Sequence, residues 1–301
     1  GALALRSKSL LDLVKDYGSE QSNSIPRARW VSHNDAYYDV FSAPIEPGEL
    51  LNDLLWQQCY AAICTSATLT VGGMFSRFLS QAGLDNTVEQ LRLVSTFNFP
   101  EVATLNVPEL VSDPRDSDAH TEEVAKLLPG LVHEDKSALI LFASWRQLNG
   151  VIRLLPDSLS QLLLVQGDDA KQVLISRHRE NVLKGKSSFL VGLASFAEGL
   201  DLPGNLCRHV IIAKIPFAVP DDPIDQTVAE FLESQGRNPF YEMSLPDAAL
   251  KLVQACGRLI RNEHDYGNIT LLDSRIVTKS YGKLLLNTLP PYRRNIGSRI
   301  T

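Results

Sequence analysis

Only four cysteines, Cys59, Cys64, Cys207 and Cys256, occur in the 301 residues, and no two form a C-x-x-C pair. That spacing spells out neither a zinc ribbon nor a dithiol redox centre, so the four read as reduced, mostly buried thiols of a cytoplasmic protein. Long apolar runs are also missing: none approaches the roughly 20 residues that cross a bilayer, and the start lacks the pattern of a secretory leader. The chain therefore reads as soluble, with no membrane contact. A phosphate-cradling G-x-x-x-x-G-K-[ST] loop is absent too, because the Gly-Lys pairs at Gly185-Lys186 and Gly282-Lys283 lack the upstream glycine. His178 and His209 have no second ligand at metal spacing, so no metal site is assigned.

Excess positive charge is lacking as well. The formal net charge of -6 argues against a surface that binds polyanions all over. Local clusters decide such binding, however, and basic residues do gather at positions 177–186, at Arg258 and Arg261, and at Arg293, Arg294 and Arg299. What is present is ordinary core material: 44% hydrophobic residues, enough for one large domain and an appendage.

Periodicity predicts the organisation. Helical spacing runs over residues 5–17, and strands and turns surround Trp30-Val31-Ser32. A helix is expected over 50–60, a short buried strand over Ala61-Ala62-Ile63-Cys64, and a helix over 74–81. Residues 94–114 look strand-like, and a helix starts at 121–128. Regular alternation follows: strands at 138–143, 162–165, 189–193, 210–214 and 269–272, with helices at 145–155 and at 170–183, the latter capped by Asp168 or Asp169. Strands alternating with helices imply an α/β domain, a parallel sheet with helices on both faces.

Such sheets gather their chemistry beyond the carboxyl ends of the strands. The loops there are Ser144-Trp145-Arg146, Gln166-Gly167-Asp168, Ser195-Phe196-Ala197-Glu198-Gly199-Leu200-Asp201 and Ile215-Pro216-Phe217. Glu198 and Asp201 flank a glycine and suit a ribose hydroxyl or a neighbouring guanidinium. Trp145 and Phe196 would either stack on bases or be buried. A hydroxyl-rich stretch, Thr65-Ser66-Ala67-Thr68-Leu69-Thr70, follows the expected 61–64 strand, as a relay or as a turn capping the 74–81 helix.

The stretch Gln254-Ala255-Cys256-Gly257-Arg258-Leu259-Ile260-Arg261 carries the strongest chemistry. A continuous helix would set Gln254, Arg258 and Arg261 on one face, with Ala249, Leu252, Cys256 and Leu259 packing on the other. Two guanidiniums a turn apart suit the oxygens of a transferring phosphoryl group. A solvated basic helix face is the plainer alternative.

In order along the chain, Ser66-Ala67-Thr68-Leu69, then Leu141-Phe142-Ala143-Ser144-Trp145, then Ser195 through Gly204, then Gln254 through Arg261 resemble motifs III to VI of superfamily 2 helicases of the XPD-like group. The connecting text resembles bacterial DinG-type helicases, including Lys214-Ile215-Pro216-Phe217, Asp221-Asp222-Pro223, Leu272-Asp273-Ser274-Arg275 and Tyr281-Gly282-Lys283.

That resemblance implies a RecA-like second motor lobe over residues 91–301, preceded over 1–90 by the tail of the arch and first lobe, ending in the Ser-Ala-Thr-Leu motif. It implies an ATP-driven, 5′ to 3′ DNA helicase active in DNA repair, using ATP and Mg2+. By the resemblance Arg261 is an arginine finger, Arg258 a second phosphate contact, and Gln254 a link from nucleotide to lobe. Glu198, Gly199 and Asp201 would couple nucleotide to strand, Ser144 and Ser195 would meet single-stranded DNA, and Ser66 and Thr68 would relay between lobes. Because neither a phosphate loop nor an Asp-Glu-Ala-His box occurs, the chain is expected to be the carboxyl-terminal part of a longer helicase, inactive without the first lobe as partner. The iron–sulfur cysteines of the family are expected in that other portion. Replication or repair proteins are further possible partners. A non-catalytic single-strand or protein-binding module, and a helicase for RNA or hybrids, are the rival readings.

Overall fold

The computed structural model describes residues 2–18, 26–33, 37–218 and 222–298, so Asp221 and Arg299 lie outside the described residues. The chain divides into two compact units. The first comprises Gly1–Thr70, Met74–Leu91 and Ala218–Pro246, and the second Val71–Gly73, Arg92–Phe217 and Asp247–Thr301. Residues 218–246 thus join the N-terminal unit, although their neighbours in sequence belong to the other.

In the first unit, β1 (Arg27–His33) and β2 (Tyr38–Pro44) pair antiparallel, placing Trp30 opposite Phe41. Those two rings stack with centroids 4.9 Å apart. The helix Ala2–Gly18 is tied to the hairpin at its end: Tyr17 Oη donates to the carbonyls of Trp30 (3.1 Å) and Phe41 (2.6 Å), and Asp16 receives Arg29 at 3.0 Å. Helix Gly48–Leu54 approaches Gly83 so closely that a Cβ on Gly83 would lie 2.1 Å from the Gly48 carbonyl oxygen. Gly83 also has φ +68°, so glycine serves both the contact and the turn that ends helix Ser76–Ala82.

The buried strand expected at residues 61–64 does not form. Residues 59–66 are irregular, with Tyr60, Ile63 and Cys64 exposed. An apolar run becomes a strand only with a ladder to join, and the sheet described in this unit is the β1–β2 hairpin alone. The expectation of mostly buried thiols is corrected in the same way: Cys59 and Cys64 are exposed. Cys207 and Cys256 are buried, and burial foremost pushes each thiol up to about 12.

The second unit is built on seven strands, β3 (Ala103–Pro108), β4 (Ser137–Phe142), β5 (Leu163–Val165), β6 (Ser188–Leu193), β7 (His209–Ile212), β8 (Gly267–Leu271) and β9 (Arg293–Ser298). Their order is β5-β6-β4-β7-β8-β3-β9, and every pairing is parallel. At the centre, Ile140 stands beside Val191 on one side and Ile211 on the other. Helices Ser117–Leu131 and Trp145–Leu154 pack Val124, Leu128, Leu148 and Val151 against Ala138, Ile140, Phe142 and Phe189. The alternate residues Leu139 and Leu141 point the other way and are equally buried, so the sheet is covered on both faces. This is the α/β fold that the alternation predicts.

β9 escapes sequence reading because Arg293, Arg294 and Asn295 give it no apolar alternation, which suits an edge strand. Helix Lys171–Leu183 starts at Ala170 without a side-chain cap, correcting the expectation for Asp168 or Asp169; Asp169 instead pairs with Arg177 at 2.7 Å. The same helix is pinned to the sheet by His178, whose Nδ1 shares a hydrogen bond with Ser188 Oγ (3.0 Å) and Nε2 one with the Leu206 carbonyl (2.8 Å). Burial lowers the pKa of His178, so it serves as a neutral buried linker. His209 is buried as well, held between Asp135 (2.6 Å) and Thr270 (2.8 Å). No helix among the described residues is long and apolar enough to cross a membrane.

Candidate functional site

All strands of the second unit run parallel, so the loops after β4, β5, β6, β7 and β8 gather at one end of the sheet. The loop after β6 is anchored by its apolar members. A short 3-10 turn, Ala194–Ala197, buries Phe196 and Ala197, and Leu200 is buried beyond it. Glycine at 192 allows this, since a Cβ there would meet the Phe196 ring at 2.6 Å and Gln166 Oε1 at 2.8 Å. With the apolar side chains inward, Ser195, Glu198, Gly199 and Asp201 stay exposed. Gly199 has φ +68°, which lets the chain reverse between the two carboxylates. Lys171 donates to the Glu198 carbonyl and lies 5.4 Å from the centroid of the Phe196 ring.

Helix Leu245–Cys256 carries Gln254 on its exposed side and stops before either arginine. The expectation of one helix through Arg261 is therefore corrected. Gly257 N still bonds the Val253 carbonyl at 2.9 Å, but Arg258 N and Leu259 N turn to the carbonyls three residues back, both at 3.1 Å. One cause is visible: Arg261 N is captured by Asp265 at 2.7 Å, which draws the main chain out of the helical ladder, and Leu259 and Ile260 beyond the break are both buried. The packing face Ala249, Leu252, Cys256 and Leu259 is buried as expected.

Leaving the helix brings the arginines together rather than apart. Arg258 Nη1 donates to the Leu200 carbonyl at 3.0 Å, and Arg261 Nη2 donates to the same oxygen. Arg261 Nε also lies 3.8 Å from Asp201, a mostly exposed carboxylate. Burial first, and Arg261 second, lower the pKa of Arg258, against the opposing pull of Glu198 and Asp201. Arg258 Nε is buried with no hydrogen-bond partner among the described residues. Two cations share one neutral oxygen, one of them keeps an unused donor, and the nearby carboxylates of Glu198 and Asp201 are exposed, with Asp201 no closer to Arg261 than 3.8 Å. A phosphate oxygen has the charge and the acceptor capacity to engage both guanidiniums.

Of the remaining predicted residues, Ser144 caps helix Trp145–Leu154, its Oγ accepting from Gln147 N at 3.3 Å. Trp145 is 43% exposed whereas Phe196 is 4% exposed, so of the two rings only Trp145 offers a face to a ligand. In the first unit, Ser66 Oγ accepts from Thr68 N at 3.2 Å and lies 3.3 Å from its hydroxyl, a local hydroxyl turn. Among the described residues no group of three or more His, Cys, Asp or Glu could hold a metal ion.

Sequence reading missed three features. The Leu200 carbonyl is backbone and leaves no residue-type signal. Asp265 looks like a turn former ahead of β8, yet it is buried. The buried carboxylate of Asp273 binds Arg275 and also accepts from Ile215 N at 2.9 Å, joining the loops after β7 and β8.

The helicase C-terminal domain family matches residues 130–292. A curated relative, the ATP-dependent DNA helicase DinG of Photobacterium profundum, is 41% identical over 286 residues, covering 92% of this chain and 41% of the relative. DinG of Escherichia coli (strain K12) is 36% identical over 282 residues, covering 90% of this chain and 39% of its own. The chain therefore spans about two fifths of the length of these relatives. Among solved structures, that of an XPD helicase superposes with a TM-score of 0.63 at 19% identity, over 85% of this chain and 46% of that one, a likeness of fold.

Proposed function

The chain belongs to the helicase C-terminal domain family, and from that premise we propose that it is the carboxyl-terminal motor portion of an ATP-dependent DNA helicase that travels 5′ to 3′ on a single strand. Residues 91–301 then form the second motor lobe, and residues 1–90 the tail of the arch and first lobe. The observation that carries the reading is the convergence of Arg258 and Arg261 on the Leu200 carbonyl with Arg258 Nε unsatisfied.

In this account Arg261 is the arginine finger and Arg258 a second phosphate contact. ATP, when bound, supplies the phosphoryl transfer that drives the motor. Arg261 can swing from Asp201 and the Leu200 carbonyl to developing negative charge, and Arg258, more deeply held, keeps the fork in place. Glu198, Gly199 and Asp201 share the loop that contains that carbonyl, so a change in how the arginines are engaged moves the strand-facing loop. Gln254, one turn before Arg258, links the same site to helix Leu245–Cys256. Ser144 and Ser195, at the carboxyl ends of β4 and β6, meet the phosphates of single-stranded DNA. Ser66 and Thr68 relay to the first lobe, which supplies the phosphate loop and the Mg2+ carboxylates. An isolated second lobe holds no phosphate against which the finger can act, so this chain alone is inactive.

Direction is tested by unwinding. The full polypeptide with ATP is expected to separate a duplex bearing a 5′ single-stranded tail and to leave a 3′-tailed duplex intact. Separation of only the 3′-tailed duplex would reverse the assigned direction, and separation of neither would remove the motor reading.

A further inference from the structure

The turn that carries Arg261 and the loop that carries Asp201 are joined by one buried group. Asp265 is 2% exposed. Its Oδ2 accepts from the backbone N–H of Arg261 (2.7 Å) and of Asn262 (3.0 Å), and its Oδ1 accepts from the N–H of Gly204 (2.7 Å). Gly204 lies three residues beyond Asp201, at the corner where that loop turns towards β7 with φ +64°. The side chain that touches both backbones through these bonds is a carboxylate. The chemistry selects it: three N–H donors converge, and a carboxylate brings acceptors only, on two oxygens with about four lone-pair directions.

We propose that Asp265 is a positioning residue for ATP turnover, clamping the backbone of Arg261 to the Glu198–Asp201 loop so that the guanidinium stays within reach of the nucleotide. This rests on the reading of Arg261 given above. Asp265 touches neither arginine side chain by these bonds; it acts through the Arg261 main chain. Without the clamp, Arg261 N would be free to rejoin a helical ladder, and the guanidinium would leave the Leu200 carbonyl.

The test is made on single-strand-stimulated ATP hydrolysis by the full polypeptide. Asp265→Asn keeps the size but places an N–H2 donor against N–H donors, so at least one of the three bonds is lost. The expected result is a fall in kcat of about tenfold or more with KM for ATP changed by less than about threefold, since misplacing a reacting group by about 1 Å carries losses up to about a hundredfold. In an Arg261→Ala background the same change is expected to add almost nothing, because a group acting through Arg261 has no effect once that side chain is gone. An equal further loss in that background would assign Asp265 a merely structural role and overturn the proposal, as would an unchanged kcat in the single variant. A variant that fails to fold leaves the clamp measurable in the unaltered protein: the amides of Gly204, Arg261 and Asn262 are expected to exchange slowly with solvent, and exchange at open-loop rates would overturn it. An unaltered protein that hydrolyses no ATP would instead be a failure of the motor reading, distinct from these outcomes.

Discussion

Arg261→Ala in the full polypeptide is expected to cut ATP turnover about a thousandfold or more, the range in which arginine fingers act, while single-strand binding stays nearly intact. The reason is geometric. Arg261 is partly exposed, reaches the Leu200 carbonyl and lies 3.8 Å from Asp201, so its charge is loosely partnered in the resting state and can be redirected. In the proposed account strand affinity draws on phosphate contacts spread over several loops, so it would depend little on one side chain. Arg261→Lys should recover little, because an ammonium cannot present the planar fork. Steady-state hydrolysis with saturating single strand checks this, and turnover unchanged by the alanine substitution would remove the finger assignment.

Asp273→Ala is expected to destabilise the second unit by about 3–5 kcal/mol, the cost of leaving a buried charge without its partner. Asp273 is fully buried beside Arg275, whose side chain is 13% exposed. Its two oxygens accept from Arg275 Nε (2.9 Å), from Arg275 N (3.0 Å) and from Ile215 N (2.9 Å). Burial opposes the charge of Arg275, but the hydrogen bonds and charge of Asp273 outweigh it and its pKa is raised. The guanidinium also lies 5.3 Å from the centroid of the Phe217 ring. Denaturant unfolding of the unaltered and substituted chains measures the effect. A loss under about 1 kcal/mol would place the pair among solvent-screened surface bridges. Replacing both residues by leucine should return only part of the loss, since it removes the unpaired charge but leaves Ile215 N without its acceptor.

The sheet of the second unit is legible in the sequence because its strands are short apolar runs alternating with helical patterns, and burial on both faces is what such runs require. The arginines are legible as residues but not as geometry. Helical spacing places Gln254, Arg258 and Arg261 on one face only if the helix continues, and it stops at Cys256, with Asp265 capturing Arg261 N beyond it. That capture has no periodic signature. The 61–64 run illustrates the converse: its residues favour a strand, yet a strand needs neighbours that no local pattern supplies. Asp265 and Asp273 stay hidden for a third reason. Aspartate in a turn is ordinarily exposed, and only the fold reveals that these two are buried and bonded to backbone amides.

The central claim is that Arg258 and Arg261 complete a nucleotide site whose phosphate loop lies in another lobe. The most direct measurement is ATP hydrolysis by this 301-residue chain with single-stranded DNA, alone and with the first lobe of its polypeptide added separately. The account predicts no turnover from the chain alone and turnover on adding the lobe, abolished by Arg261→Ala. Turnover from the chain alone would contradict it, because a complete phosphate-binding site would then reside within these residues.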